Sequence, residues 1–410
     1  MSIELRSFDG DWTGIRETLS LAFADMLSDD DWAIELDIHE PDRGIVAVDG
    51  KEVVGYTAAY SLQMTVPGGP LPVAGVSMVT VKPTHRRRGI LRQLMNRQLA
   101  EMYESGAESV AALTASEPEI YGRFGYGLAS EHLRLQIPRR PGPTLRPVPG
   151  SDEVEIRYAD VAGSLDECAR IHNEVAATRA GMFQHDAGWR KYVSSEQVVW
   201  GAGSGASAVR CVQSSKDGVL TGYAYYRTKR DRVNNVPHNT VMVDRVHATD
   251  LASYVAIWKF LLDQDLMTEI GYGRFALDDP LITLLVNSRP SRPMLFDGLW
   301  VRLVDLPRAL TARTYESDVD VVLGVRDEFC PWNDGSWRLT AGPGGATCER
   351  TTDKADLLAD VRDLGGLYLG RPGMTSLAKA GLVEELTPGA LVQTSRAFQT
   401  ETLPWLDTGF

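Results

Sequence analysis

Three short patterns occur twice along this chain, in the same order, and this repetition restricts its fold more than any other feature. Val154-Glu155-Ile156-Arg157 echoes Ile3-Glu4-Leu5-Arg6. Ala208–Arg227, with a turn at Lys216-Asp217-Gly218, echoes Ile45–Leu62; within them Gly222-Tyr223-Ala224-Tyr225-Tyr226 matches Gly55-Tyr56-Thr57-Ala58-Ala59-Tyr60. Val241–Val246, running into a helical pattern at Ala252–Leu262, echoes Ser77–Val81 and the helix that follows it. Two matches can arise by chance, whereas three in one order favour a duplicated domain. At 410 residues the chain is too long for one core, so two or three domains are expected.

Strand and helix signals alternate in the first copy. Ser2–Arg6 alternates like a short strand, and Trp12–Leu27 has helical apolar spacing. Gly44–Val48 and Glu52–Met64 are β-rich runs joined at Asp49-Gly50, a hairpin signal. Pro72–Val81, a helix from about Arg86 to Tyr103, and a strand at Ser109–Leu113 complete a mixed α/β sheet. The Pro-rich stretch Pro138–Pro143 reads as a linker. A third segment starts near Asp297-Gly298-Leu299-Trp300 with strand signals, continues in short helices after Thr352, and ends in an aromatic tail. The expected domains are therefore 1–137, 138–296 and 297–410.

Charge narrows the partners. With 42 Lys+Arg against 55 Asp+Glu, the net −13 argues against nucleic acid and acidic membranes and favours cationic small molecules. Cys168, Cys211, Cys330 and Cys348 are scattered with no Cys-x-x-Cys pair, so free thiols of a reducing compartment are expected. The N-terminus has no basic-then-apolar signal region, and no apolar run approaches the ~20 residues of a membrane span. A cytoplasmic location follows as the expectation.

The most informative stretch runs from Val76 through Lys82-Pro83-Thr84-His85-Arg86-Arg87-Arg88-Gly89 to Leu91. A strand enters a basic turn holding one glycine, and an amphipathic helix begins there. Backbone N–H groups at a helix start are unsatisfied and partly positive, which suits a pyrophosphate. Gly89 lets the backbone approach phosphates, and arginines add charge-assisted donors. A solvated basic helix start, or a basic targeting patch, is the plainer alternative; the acidic net charge and the strand–turn–helix context weigh against both.

This pattern resembles the Arg/Gln-x-x-Gly-x-Gly/Ala signature of the GNAT acyltransferase superfamily, with Leu91 standing where the signature has Gly or Ala. A second block, Ala115-Ser116-Glu117-Pro118-Glu119-Ile120-Tyr121-Gly122-Arg123-Phe124-Gly125-Tyr126-Gly127, follows the fifth strand. Together with the later copy and the aromatic C-terminus, it makes the full chain similar to the enhanced-intracellular-survival family of actinobacterial acetyltransferases. The resemblance implies tandem GNAT domains of α/β (α+β) class, the second degenerate, followed by a sterol-carrier-protein-like domain. It also implies acetyl-CoA as acetyl donor, a homohexamer, no metal, and aminoglycosides or other polyamines as substrates, acetylated at several positions.

Acetyl transfer to an amine needs a deprotonated nitrogen, a stabilised oxyanion and a proton for the departing thiolate. The resemblance makes Tyr121 the general acid, a role open to a phenol because its ordinary pKa, about 10, is near that of a thiol. From their surroundings alone Tyr121 and Tyr126 are packing aromatics; the whole motif reverses this for Tyr121 and leaves Tyr126 as packing. By the same resemblance Val79, Thr80 and Val81 form the strand along the pantetheine arm. Arg87, Arg88, Gly89, Ile90, Leu91 and Arg92 form the pyrophosphate turn, and Ser116 and Glu117 are contacts after the fifth strand. Periodicity alone makes Val79, Val81, Ile90 and Leu91 core residues, and both readings hold if the cofactor meets their backbone.

The resemblance also gives the Phe410 α-carboxylate an active-site role as base. Here Gly409 precedes it, where an acidic residue is expected. A carboxylate of pKa near 3.5 is a weak base, better suited to anchor the substrate ammonium or relay its proton through water. Phe23, Asp25 and Asp297 match pocket-lining positions, although Asp297 before Gly298 also reads as an ordinary turn residue. His39 and His85 have no partner suggesting catalysis or metal. Three readings stand: an aminoglycoside or polyamine N-acetyltransferase, a protein-lysine acetyltransferase, and a lipid-holding carrier or scaffold with an idle acyltransferase fold. Intact Arg87, Gly89 and Tyr121 speak against the third.

Overall fold

The computed structural model describes residues 3–23, 29–139, 142–199 and 205–410; Asp25 lies outside them. In chain order the first part holds β1 (Glu4–Ser7), α1 (Ile15–Phe23), α2 (Asp29–Ile38), β2 (Ile45–Asp49), β3 (Glu52–Val66), β4 (Gly69–Val81), α3 (Ile90–Ser105), β5 (Val110–Thr114), α4 (Pro118–Tyr121), β6 (Gly127–Leu128) and β7 (Glu131–Pro138). The second holds β8 (Glu155–Ala159), α5 (Leu165–Ala176), α6 (Ala187–Val199), β9 (Arg210–Lys216), β10 (Val219–Lys229), β11 (Arg232–Val233), β12 (Val236–Pro237), β13 (Thr240–Ala248), α7 (Leu251–Leu262), β14 (Glu269–Phe275), α8 (Pro280–Leu284), β15 (Met294–Asp297) and β16 (Leu299–Leu303). The third holds α9 (Leu306–Thr311), β17 (Val319–Arg326), β18 (Gly335–Gly342), β19 (Gly345–Arg350), β20 (Leu357–Asp360), α10 (Val361–Leu367), α11 (Met374–Lys379), β21 (Val383–Glu385) and α12 (Ala390–Phe398).

The hairpin turns fall where the sequence puts them: Gly50 at φ 65°, and Asp217-Gly218 at φ 50° and 78°, the left-handed pair that tight β-hairpins require. The β3–β4 hairpin is longer than expected. Its tip is held by the second copy, where Thr65 N–H donates to the Met182 carbonyl and Gly181 N–H to the Thr65 carbonyl, a support that no local pattern reveals. Helix α3 starts at Ile90 rather than Arg86 because Arg87 and Gly89 sit at φ 62° and 79°, outside helical space.

Two seven-stranded sheets share one plan. Their orders are β1-β2-β3-β4-β5-β16-β6 and β8-β9-β10-β13-β14-β7-β15, each with one parallel pair between its own strands, β4 with β5 and β13 with β14. The duplication is therefore visible in the topology. Each sheet also takes one strand from the other copy. Strand β7 inserts between β14 and β15, and β16 inserts between β5 and β6. The boundaries expected at 137/138 and 296/297 thus do not follow sheet membership: residues 131–138 complete the second sheet, and 299–303 complete the first. Local hydrophobic pattern marks a strand but not its partner.

One face of the second sheet is apolar. Leu135, Ile137, Val241, Val243, Ile270 and Tyr272 pack against Ile257, Trp258 and Leu261 of α7. The alternate residues of the same strands face the other way, as the two-residue period dictates. The third sheet, β19-β18-β17-β20-β21, shares one core with the first domain, from Tyr60, Leu62 and Val73 through Leu299–Leu310 to Leu339, Leu367 and Leu406. Gly127 permits this junction, since a Cβ there would lie 1.9 Å from the Arg362 carbonyl oxygen and 2.4 Å from Gly366 N on α10. No helix among the described residues is long and apolar enough to cross a membrane.

Candidate active site

Strand β4 creates the first half of the site by breaking its own register. Tyr56 pairs with Thr80 and Ala58 with Ser77, so Met78 and Val79 together face one residue, Thr57. Met78 takes φ 53°, a conformation costing a non-glycine residue roughly 1–3 kcal/mol, and the strand bends there. Its parallel pairing with β5 stops at Gly75 opposite Ala112. Beyond that point β4 and β5 part, leaving the Val76–Val81 edge with no strand beside it among the described residues. Backbone groups on such an edge need a partner, and an extended amide-bearing arm can supply one.

At the surface, β4 leads to the basic turn. Gly89 occupies the position before α3 and makes no side-chain cap. The first N–H groups of this 16-residue helix therefore face outward, and Arg86, Arg87, Arg88 and Gly89 are exposed. Arg88 is tethered 3.1 Å from Asp49, while Arg92 lies over the Phe329 ring at 5.2 Å. Ile90 is buried and Leu91 half-buried, so they offer backbone rather than side chain, as an anion site at a helix start requires. These residues fit a pyrophosphate. Thr80 points away from the cleft, its buried hydroxyl donating to the Thr18 carbonyl at 3.4 Å; Val81 packs beside Ile90 and Leu94.

A cavity of about 1330 Å³ opens where β4 and β5 diverge, lined by Val79, Thr114, Ser116, Tyr121, Phe23 and Phe410 among others. Tyr121 ends α4, its ring 6.0 Å from the Tyr126 ring. Burial, with the Glu117 carboxylate adding to it, pushes its phenol up to about 12, so the hydroxyl keeps its proton throughout the physiological range. Tyr126 is fully buried in the core behind it, as the packing assignment expects. Glu117 does not line the cavity.

The C-terminal tail completes the site. Residues 404–409 are buried, and Trp405 N–H donates to the Ala180 carbonyl at 2.9 Å. Asp407 is held by Arg245 Nε at 3.1 Å, His247 Nε2 at 2.9 Å and His172 Nδ1 at 3.5 Å. Burial opposes the charge on Asp407, but Arg245 and the hydrogen bonds from His172 and His247 hold its carboxyl well below the usual range. Burial in turn lowers His247 to about 4. His172, His247 and Asp407 present ligand atoms within 4.8 Å of one another; the adjacent Arg245 guanidinium, which also meets Thr408, supplies the compensating charge and makes the cluster a tail anchor. A Cβ on Gly409 would lie 2.8 Å from Arg274 Nη2, so a side chain there would displace the end of the Arg274 side chain. The Phe410 ring meets Phe183 edge-on at 5.6 Å, and its carboxylate accepts from the Thr114 hydroxyl at 3.2 Å.

Asp297 is not brought to the cavity. Its carboxylate accepts from the Trp300 indole N–H at 2.9 Å, the turn role that Gly298 suggested. Glu35, unremarked in the sequence, does line it. Glu35 accepts from the Tyr60 hydroxyl at 2.7 Å, and burial raises its carboxyl pKa. His172, Arg245 and His247 were also missed. The only signal for the last two is their two-residue spacing on a strand that runs to Ala248 rather than Val246. The second copy's helix α7 begins behind Asp250, whose side chain accepts from Ser253 N–H at 3.0 Å and binds Lys216 at 2.6 Å. That helix start is capped where α3 is open. All four cysteines are free and buried.

Residues 6–129 and 181–303 match the acetyltransferase (GNAT) domain family, and residues 306–407 match the sterol carrier protein domain. The chain is 41% identical to an N-acetyltransferase of Streptomyces avermitilis, covering 98% of this chain and 97% of the relative. It is 31% identical to the N-acetyltransferase Eis of Mycobacterium tuberculosis, over 96% of each chain. The crystal structure of Eis1 from Mycobacterium abscessus superposes over the whole of both chains with TM-score 0.83 at 31% identity.

Proposed function

The chain belongs to the Eis family of GNAT N-acetyltransferases, and from that premise we propose that it moves the acetyl group of acetyl-CoA to a small amine, with Tyr121 as general acid and the Phe410 carboxylate as ammonium anchor or proton relay. The observation that carries this reading is that Tyr121 and Phe410, far apart in sequence, line the same cavity at the point where β4 and β5 separate.

Each group has a task that its surroundings support. The uncapped start of α3, with Arg87, Arg88 and Gly89, suits the pyrophosphate of the donor, and the free edge of β4 suits its pantetheine arm. Tyr121, protonated because it is buried, gives its proton to the departing sulfur. The Phe410 carboxylate draws an ammonium into place and passes its proton on through water. Glu17, Glu35 and this carboxylate on the first-domain side of the cavity support a cationic acceptor of the aminoglycoside or polyamine class, acetylated at more than one amine where several can enter. Homohexamer assembly belongs to the same reading and is checked by light scattering. The deciding experiment is turnover of acetyl-CoA against a panel of amines, read as product mass. Donor hydrolysis without any acetylated amine would overturn the proposal.

A further inference from the structure

The opposite wall of this cavity is the polar face of the second copy's sheet. Gln136 and Arg134 of β7, Arg227 and Lys229 of β10, Asp244 of β13, and Glu269 and Arg274 of β14 line it, while the alternate residues of these strands build the apolar core on the other side. The degenerate copy has its own helix start closed by Asp250, yet it supplies half of the acceptor chamber.

Charge on this wall is opposite to that beside Phe410. Four cations, Arg134, Arg227, Lys229 and Arg274, face two carboxylates, Asp244 and Glu269. One pair cancels, since Arg227 binds both oxygens of Asp244 at 3.2 Å. Arg134 lies over the Phe296 ring at 4.1 Å. Among the described residues Lys229 and Arg274 make no ion pair.

Arg274 is placed there by a local irregularity. Tyr272 pairs with Leu135 and Phe275 with Leu133, so Gly273 and Arg274 together face Arg134. This bulge turns Arg274 out of the apolar core and into the cavity. Its guanidinium sits against Gly409, in the space that any side chain there would fill, yet it forms no ion pair with the terminal carboxylate. A half-buried guanidinium without a carboxylate is a ready fork for an incoming oxyanion.

The geometry points to an acceptor that carries a carboxylate or phosphate within a few bonds of its amine: the ammonium meets the Phe410 carboxylate, and the oxyanion meets Arg274 with Arg134 or Lys229 behind it. This rests on the acyl-transfer reading of the cavity and departs from the polycation read from the first-domain wall alone, setting an amine that carries an oxyanion in its place. A pure polycation satisfies the first-domain wall and is repelled by the second, whereas an amine bearing an oxyanion complements both.

The test compares acceptors of equal length. Straight-chain diamines, the corresponding amino carboxylates and the corresponding amino phosphates, each of two to six carbons, together with an aminoglycoside, are assayed with acetyl-CoA for CoA release and product mass. The expected result is a kcat/KM for one of the anionic series at least ten-fold above that of the matched diamine, carried mainly by KM; which series leads identifies the oxyanion. Arg274→Gln should bring that ratio down by about ten-fold, the loss of one hydrogen bond to a charged group, and Arg274→Lys should restore part of it. Equal or better use of diamines and the aminoglycoside by the wild type, or a ratio that survives Arg274→Gln, overturns this inference and leaves acyl transfer standing. Acetylation of no amine overturns the acyl-transfer reading and this inference with it.

Discussion

The Thr114 hydroxyl donates to the Phe410 carboxylate across 296 positions of sequence. Thr114 is the last residue of β5, the strand that diverges from β4, so the chain end is tied to the lip of the cleft. The next residues after β5 lead to Tyr121. One strand end thus sets both groups assigned to proton movement, and four expectations follow.

Tyr121→Phe removes one hydroxyl from a packed ring and should leave the melting temperature and acetyl-CoA affinity as in the wild type. Turnover should fall by roughly 10²–10⁴-fold, the usual worth of a general acid. Steady-state kinetics beside calorimetric titration of acetyl-CoA check this, and undiminished turnover returns Tyr121 to the packing aromatics.

Deleting Phe410, or adding residues after it, should abolish acetylation with little loss of thermal stability, because the tail is held upstream at Trp405 and Asp407. An N-terminal tag should be harmless. Asp407→Ala should behave differently: it removes the buried carboxylate that Arg245, His247 and His172 hold, a change that costs about 3–5 kcal/mol. Melting curves and turnover of the three variants separate anchor from active group, and full activity in the extended chain would place the base elsewhere.

One acetyl-CoA should bind per chain. Helix α7 carries an aspartate cap where α3 has Gly89, and a carboxylate at that point both fills the amides and repels phosphate. Isothermal titration yielding two equivalent sites would show that the cap does not exclude the donor.

Stability should decline as pH falls from about 6.5 towards 4. Burial lowers His39, His132 and His247 to about 4, whereas in the unfolded chain each titrates near 6.5. Between these values the unfolded state binds more protons than the folded one, so unfolding becomes easier as protons are added. Asp407, depressed in the folded state, acts in the same direction at still lower pH. Thermal melts at pH 7.5, 6 and 5 should show a falling midpoint, and a flat series contradicts the burial of these rings.

Local signals in the sequence identified β1 to β5 with α1 and α3 in the first copy, and β8, the β9–β10 hairpin, β13 and α7 in the second, because period-two and period-3.6 patterns are written into neighbouring residues. The basic turn was legible in its own residues, whereas the role of Tyr121 came only from the family resemblance. What stayed hidden is non-local. That β7 and β16 trade sheets depends on partners more than a hundred residues away. The bulges at Met78 and Arg274, which open the cleft and charge its far wall, are register shifts between strands. Asp407 carries no role that its neighbours in sequence reveal; His172, Arg245 and His247, which close around it, come from distant elements. Asp297 failed as a pocket residue because a neighbouring indole N–H already claims its carboxylate.

Strand exchange between the two copies also bears on how the molecule comes into being. On the ribosome, the first sheet has a gap between β5 and β6 until residues 299–303 have been made, so the donor-binding half cannot close as a nascent domain of its own. Contacts of such long reach slow folding and prolong the exposure of unpaired edges.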